Sequence, residues 1–424
     1  MNSFVLKVFL VAVFASGFSC HAQIAAGKCK FLGNVIGNYV PASFNTYWNQ
    51  VTPENSGKWG VVEATRDVMN WSALDMAYNH AKNNRFAFRF HTLIWGNQQP
   101  LWIASLPAEE QLQEIEEWFS LAGARYPGAD WPEDVPFFID VVNEPINDPP
   151  NQGGDGGNYI QALLGSSGSG YDWIIKAFEL ARTYFPTAKL HINEYNVINN
   201  DARTTEYIYI INQLKMRNLI DGIGIQCHRF EIEGTPSSQL INNLNRLAET
   251  GLPIFITEFD AGNLGNTGTP DDNQQLEVYQ RVFPILWNHP AVHGITLWGY
   301  IQGQTWQSTA FLLRSDGTER PALTWLRGFV PTTQGGTFCL VTNIEEKMPG
   351  LSVYPNPSFN GTFTVSTGGK DFFIRVTDVF GRLLLQKTIL ANEQTTFILN
   401  EKPGLYLMEA SNGRGQYRYK LIIR

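Results

Sequence analysis

One feature constrains this chain more than any other: a repeated alternation of two textures. Apolar runs rich in β-branched and aromatic residues recur with helix-period segments between them. The runs are Phe31–Gly37, Phe44–Trp48, Phe86–Trp95, Phe137–Val142, Lys189–Glu194, Gly222–Gln226, Pro253–Phe259 and Val292–Trp298. Most are continuous rather than alternating, as expected of parallel strands covered on both faces. The amphipathic segments between them are Trp71–Asn84, which follows an Asn, Pro107–Tyr126, which is acidic in its first turn, Tyr171–Phe185, Asp201–Asn218, Thr235–Thr250 and Pro270–Asn288. Strand–helix alternation repeated eight times over about 300 residues predicts a (β/α)8 TIM barrel, an α/β fold. A doubly wound open sheet would want a glycine-rich phosphate loop after its first strand, and none is present.

The texture changes after Val330. Pro331–Gly336 is rich in Pro, Thr and Gly, and from Leu351 short alternating strands are separated by turns such as Asn356-Pro357, Phe380-Gly381 and Asn412-Gly413. These signals predict a barrel over 23–330, a linker over 331–350 and a small β-sandwich over 351–424. At the other end, Lys7 is the only charge before an apolar run from Val8 to Phe18, and small residues follow it. That run is too short to span a bilayer, so 1–22 reads as a secretory signal peptide and the mature chain as secreted or cell-surface. Cys29, Cys227 and Cys339 would then sit in an oxidising compartment. Cys29 precedes the first strand and Cys339 follows the last helix, so a closed barrel would bring them together as a disulfide, with Cys227 a free buried thiol.

Composition narrows the function. The chain has 424 residues, 43 % hydrophobic and only 17 % charged, so it can bury a large core. Its formal net charge is −8, and no Lys/Arg run argues for a nucleic-acid partner. Aromatic content is high at 13 %, which suits core packing and also stacking on sugar rings. No His/Cys/Asp cluster has tetrahedral metal spacing and no G-x-S-x-G turn occurs, so no metal, no cofactor and no serine nucleophile are expected.

In such a barrel, chemistry sits at the C-terminal ends of the strands. One run ends in Asn143-Glu144-Pro145 and another in Thr257-Glu258-Phe259-Asp260. A buried acid is costly without a partner or a task, and neither end has an adjacent Lys or Arg to make a structural ion pair. Two such carboxylates suit the cleavage of a glycosidic bond. The other strand ends carry Glu54, Asn55 and Lys58, His91 with Trp95 and Gln98, Asn193-Glu194-Tyr195-Asn196, Gln226-Cys227-His228, and Trp298 with Trp306. Tryptophan rings beside amide and charged hydrogen-bonders are what a polyhydroxylated chain needs.

Seven blocks in order carry a resemblance: VTPENSGKW at Val51–Trp59, HTLIW at His91–Trp95, DVVNEP at Asp140–Pro145, INEYN at Ile192–Asn196, DGIGIQCH at Asp221–His228, ITEFD at Ile256–Asp260 and LWG at Leu297–Gly299. The chain from residue 27 to 330 resembles glycoside hydrolase family 10, the retaining endo-β-1,4-xylanases. The resemblance implies Glu144 as general acid/base and Glu258 as nucleophile. It implies Asn143 on the sugar 2-hydroxyl, His228 orienting Glu258 with Asp260 behind it, and Gln226 beside the nucleophile. Glu54, Asn55, Lys58, His91, Trp95 and Gln98 would line the glycone side. Trp298 and Trp306 would wall the cleaved sugar, and Tyr195 and Asn196 would face the aglycone. Two departures stand out: Gly96 replaces the family's usual His, and the loop Pro149–Gly170 is long and glycine-rich.

The tail segments VYPNP at Val353–Pro357, DVFGR at Asp378–Arg382, GLYLMEASNG at Gly404–Gly413 and the closing KLIIR resemble the sorting domain of type IX secretion. That implies export machinery as a partner. A carbohydrate-binding module of similar size is the alternative, but the tail has no Trp. The expected whole is a monomeric enzyme acting on xylan, with no membrane span. A β-1,4-glucanase on the same barrel and a non-catalytic xylan-binding protein are its rivals; the latter would have lost a carboxylate.

Overall fold

A computed structural model describes residues 23–132, 135–151, 157–164, 168–262, 269–333, 351–378, 382–412 and 415–424. The expected signal segment 1–22 and Cys339 lie outside them. Eight parallel strands close on themselves: β1 (Phe31–Ile36), β2 (Gln50–Pro53), β3 (Ala87–Ile94), β4 (Phe137–Asn143), β5 (Lys189–Glu194), β6 (Gly222–Ile225), β7 (Ile254–Phe259) and β8 (Val292–Leu297). Closure is made by β1 on β8, with Phe31 opposite Gly294 and Asn34 opposite Leu297. Seven of the eight expected runs hold strands. The exception is Phe44–Trp48, where Phe44–Tyr47 is a single helical turn and the second strand is Gln50–Pro53 instead. Phe44 and Tyr47 stand three apart, so one turn puts both rings on one buried face. Their aromatic content imitates a strand, while the true strand ends at a proline.

The outer helices follow the apolar periodicity. Ser72–Asn84, Ala108–Arg125, Asp172–Tyr184, Asp201–Lys215, Ser237–Ala248 and Asp272–Asn288 lie within the expected segments. Two of them start at side-chain caps: Asn200 accepts from the amides of Ala202 and Arg203, and Asp271 from those of Asn273 and Gln274. The last helix of the barrel, Pro321–Thr332, runs two residues past Val330. It returns the chain to where it began, for Lys28 Nζ donates to the Pro331 carbonyl at 2.7 Å. Cys29 is disulfide-bonded, and Cys227 is free and buried.

The barrel bore is packed, not open. Phe31, Ala87, Phe138 and Phe255, each first or second in its strand, plug the N-terminal end. Gly294 makes room for this plug, since a Cβ there would fall 2.4 Å from the Phe31 ring. Above the plug the bore turns polar. Arg89 donates to Asp140 at 2.5 Å, and the other Asp140 oxygen takes the His91 Nδ1 at 3.0 Å. This buried ladder climbs from the plug to the C-terminal mouth, so the plug's rigidity is passed to the site above.

Beyond the barrel stand two antiparallel sheets. One has order β13 (Gln394–Ile398), β10 (Thr362–Thr367), β9 (Leu351–Tyr354); the other has β12 (Leu383–Ile389), β11 (Phe372–Asp378), β14 (Gly404–Asn412), β15 (Gly415–Ile423). Phe363, Val365 and Phe397 of the first sheet and Ile374, Met408 and Leu421 of the second share one apolar core. Among the described residues none belongs both to this core and to the barrel's. Among the described residues no helix is long and apolar enough to cross a membrane. With separate cores, a chain ending after Lys347 should melt within ~2 °C of the full chain, read by circular dichroism at 222 nm. A fall of about 10 °C would show that the sheets support the barrel.

Candidate active site

The strands β3, β4 and β7, and the residues just past the ends of β2, β5, β6 and β8, deliver side chains to one cleft of about 420 Å³ at the barrel mouth. Its walls include Glu54, Asn55, Lys58, His91, Trp95, Gln98, Asn143, Glu144, Tyr195, Gln226, His228, Glu258, Trp298 and Trp306, fourteen of the sixteen candidates singled out from the sequence. Asp260 lies behind His228. Asn196 does not line the cleft; its amide donates to Glu231 at 2.7 Å and its side chain is held by Asn199. Asp148 and Phe230 also line it, and the sequence did not single them out.

The two carboxylates at its floor have opposite surroundings. Glu258 sits inside β7, where its Oε1 accepts from Asn193 Nδ2 at 2.8 Å and its Oε2 lies 3.3 Å from His228 Nε2. His228 is itself braced, with Nδ1 2.9 Å from Asp260, which also takes the Trp306 indole N–H at 2.8 Å. Burial alone would raise the Glu258 carboxyl, but the His228 contact and the charges of His91, His228 and Lys58 overcome it and hold it below its ordinary value. Burial likewise opposes the charged form of His228, yet Asp260 and Glu258 hold its imidazole well above its usual range.

Glu144 stands just past the end of β4 with φ +53°, a conformation rare for a side chain of its size. Trp95 Nε1 donates to one oxygen at 2.6 Å and Gln226 Nε2 to the other at 2.7 Å. These donors are neutral. Burial therefore dominates and, with the charges of Glu258 and Glu194, pushes Glu144 well above its ordinary value. One site thus holds one carboxyl pushed toward its protonated form and one held toward its ionised form.

The supporting shell explains why the carboxylates stay put. Glu194, the last residue of β5, accepts from the amides of Ile146 and Tyr195 at 2.7 and 2.8 Å and from Asn147 Nδ2 at 2.9 Å. It thereby clamps the segment leaving Glu144, and burial raises its own carboxyl to about 8. Asn193, from the same INEYN block, bridges Asn143 Oδ1 at 2.7 Å and Glu258, while Thr257 fixes its other end at 2.6 Å. The sequence marks all four residues Asn193–Asn196 as a polar strand end, but the resemblance gives roles there only to Tyr195 and Asn196. The available signal was two polar residues in a row, Asn193 and Glu194, closing a buried strand.

Lys58 is buried and holds the Glu54 side of the cleft. Its Nζ donates to Asn55 at 2.9 Å and Gln98 at 2.6 Å and stands 4.8 Å from the Trp95 ring centroid. Burial lowers its ammonium from the ordinary value, and Glu258, Glu54 and Glu144 partly restore it. On the other side Tyr195 donates to Asp148 at 2.9 Å, and the Phe230 ring stacks on His228 with centroids 5.5 Å apart. Carboxylates of Glu63, Asp67 and Glu114 also approach one another within 4.8 Å, but none of the three lines the cleft and Glu114 is paired with Arg66.

Gly96 has a packing reason. A Cβ at that position would fall 2.0 Å from the Asp148 carbonyl oxygen and 2.5 Å from that of Pro149. The loop after Glu144 lies where a side chain would stand, and Tyr159 from that loop donates to the Trp95 carbonyl at 3.1 Å. The glycine and the long loop are one departure, not two.

A barrel whose strand ends hold two carboxylates in opposed environments, walled by tryptophan, defines the class: a (β/α)8 glycoside hydrolase. The sequence model of glycosyl hydrolase family 10 matches residues 13–328, and that of the secretion system C-terminal sorting domain matches 352–424. The chain belongs to glycoside hydrolase family 10 and carries a secretion-system sorting domain at its C-terminal side. It is 39 % identical over 299 residues to endo-1,4-beta-xylanase B of Cellvibrio japonicus, covering 70 % of this chain and 45 % of that protein. It is 33 % identical over 273 residues to endo-1,4-beta-xylanase C of Phanerodontia chrysosporium, covering 63 % and 64 %. It thus spans less than two thirds of the length of either relative. Among solved structures, native xylanase 10B of Thermotoga maritima matches 73 % of this chain and 98 % of its own, with TM-score 0.63 at 26 % identity.

The Gly96 contact makes its own prediction. Gly96→Ala should cost about 1–3 kcal/mol of stability, because backbone at Asp148 and Pro149 must give way. Urea titration checks this; an unchanged midpoint would show the loop to be free to move.

Proposed function

We propose that this protein hydrolyses internal β-1,4-xylosidic bonds of xylan with retention of configuration. The observation that carries the reading is the opposed environment of Glu144 and Glu258 within one tryptophan-walled cleft. In the first step Glu144, protonated, gives its proton to the leaving glycosidic oxygen while the Glu258 carboxylate attacks the anomeric carbon. The C–O bond to the leaving sugar breaks as the Glu258–sugar ester forms. In the second step Glu144, now ionised, takes a proton from water, and that water displaces Glu258 from the sugar.

Each neighbour has a task in this scheme. Trp95 and Gln226 hold Glu144 whether or not it carries its proton. Buried Asn143 Nδ2 has no partner among the described residues, and a sugar 2-hydroxyl would satisfy it. His228, braced by Asp260, keeps Glu258 ionised and aimed. Glu54, Asn55, Lys58, His91 and Gln98 offer hydrogen bonds to glycone hydroxyls, Tyr195 faces the aglycone, and Trp298 and Trp306 supply the walls. The relatives' names support xylan over glucan. The sorting domain supports export to the cell surface or beyond, after removal of a signal segment 1–22. We also infer that Cys29 pairs with Cys339, because the contact of Lys28 with Pro331 joins the two ends of the barrel and Cys227 is free.

Reducing-end release measured side by side on xylan, carboxymethylcellulose and mannan should be highest on xylan; higher release on carboxymethylcellulose would overturn the substrate assignment. The pH profile of kcat/KM should be a bell. Its acid limb reports protonation of Glu258 and lies below the ordinary glutamate range. Its basic limb reports loss of the Glu144 proton and lies well above that range, so activity falls as pH rises through it. Glu258→Ala should abolish turnover. Glu144→Ala should cost about 10² to 10⁴-fold on natural substrate, remove the basic limb and spare activated aryl glycosides. Equal losses on both substrate types would refute the acid role.

A further inference from the structure

The cleft does not end at Glu54. That residue is also a wall of a second depression, of about 320 Å³, formed with Gly37, Asn38, Tyr39, Tyr300 and Gln304. Its volume falls at the small end of the range of ligand sites, roughly 300–1,000 Å³. We propose that this depression is a further subsite for one pentose ring of the substrate, with Tyr39 as its stacking residue. The proposal rests on the xylan reading and extends it outward from the reacting bond.

Four features carry it. First, Tyr39 is 53 % exposed, so its ring is open to a ligand. Sugar C–H groups, slightly positive, fit the negative face of such a ring. Second, the polar ends are free: neither the Tyr39 hydroxyl nor the side-chain amides of Asn38 and Gln304 hydrogen-bond to any described residue. Third, the floor is rigid. Tyr300 is 2 % exposed, its hydroxyl is 2.9 Å from Ser43 Oγ, and its ring stands edge-on to Trp48 with centroids 5.3 Å apart. Fourth, the two depressions share a wall. Glu54 lines both, and Gly37 lies beside it, where a Cβ would stand in ordinary contact at 3.9 Å from Glu54 Oε2.

The ring bound there is either the next residue of the main chain or a pentose substituent, and the chemistry of recognition is the same. The test compares wild type, Tyr39→Ala and Gln304→Ala on xylotriose, linear xylohexaose and a xylohexaose bearing arabinofuranosyl branches. Tyr39→Ala should lower kcat/KM about tenfold on a long substrate while xylotriose stays within about twofold. Gln304→Ala should give the same pattern with a smaller drop. Loss on the linear hexaose assigns a main-chain residue; loss confined to the branched one assigns the substituent. Equal loss on xylotriose, or no loss on either hexaose while wild type is active, overturns the subsite and leaves the xylan reading standing. Wild type that turns over cello-oligosaccharides and no xylo-oligosaccharide overturns the xylan reading and the pentose assignment with it.

Discussion

Two carboxyl groups buried in one cleft must not be equivalent, and the rest of this molecule follows from how they are made unequal. Like charges at close range inside a protein cannot both persist without compensation. Here the compensation is uneven. Glu258 receives Asn193, His228 and the charges of Lys58 and His91, whereas the side-chain hydrogen bonds to Glu144 come from a neutral indole and a neutral amide. Without the His228–Asp260 pair, Glu258 would lose the contact that most opposes the effect of its burial. The asymmetry therefore depends on a carboxylate, Asp260, that lies outside the cleft.

That arrangement is held at a backbone cost. Gln98, Glu144, Asn196 and Cys227 all follow strand ends and all have φ between +50° and +62°. Each such position costs on the order of 1–3 kcal/mol and persists only where the surroundings impose it. The surroundings are visible for Glu144: its amide donates to the Asn193 carbonyl at 2.8 Å and its carbonyl accepts from the Asp148 amide at 2.9 Å. Glu194 then fixes the next turn through Ile146 and Asn147. The packed bore below, from the Phe31 plug through Arg89 and Asp140 to His91, leaves the strand ends no slack to relax.

The sequence made the barrel legible because buried parallel strands are written as continuous apolar runs. It misled at Phe44–Tyr47, where aromatic content imitates a strand and the real one, Gln50–Pro53, is four residues ending in proline. The cleft was legible wherever a polar residue closes an apolar run, which is how Asn143, Glu144 and Glu258 could be read. Asn193 and Glu194 close such a run too, but their partners, Asn143, Glu258 and the Ile146 amide, lie 48 to 65 positions away in the chain. Pairings across strands leave no local mark. Phe230 was hidden for another reason: it lies within the short helix Arg229–Ile232 after β6, where an aromatic reads as core.

Gly96 shows how a departure from a family pattern is read physically. Taken alone, glycine in place of histidine suggests a hydrogen bond deleted from the cleft. Its contacts tell otherwise. The space a side chain would need is filled by the carbonyls of Asp148 and Pro149, and the neighbouring Trp95 carbonyl is taken by Tyr159. Both partners belong to the loop that leaves the acid, and Asp148 also carries the hydrogen bond from Tyr195. The glycine thus makes room for a loop drawn in against Trp95. Since Trp95 donates to Glu144, the same packing steadies the indole that holds the proton donor. Substituting Gly96 alone therefore cannot restore the family pattern, because the loop and the glycine exclude each other's alternatives.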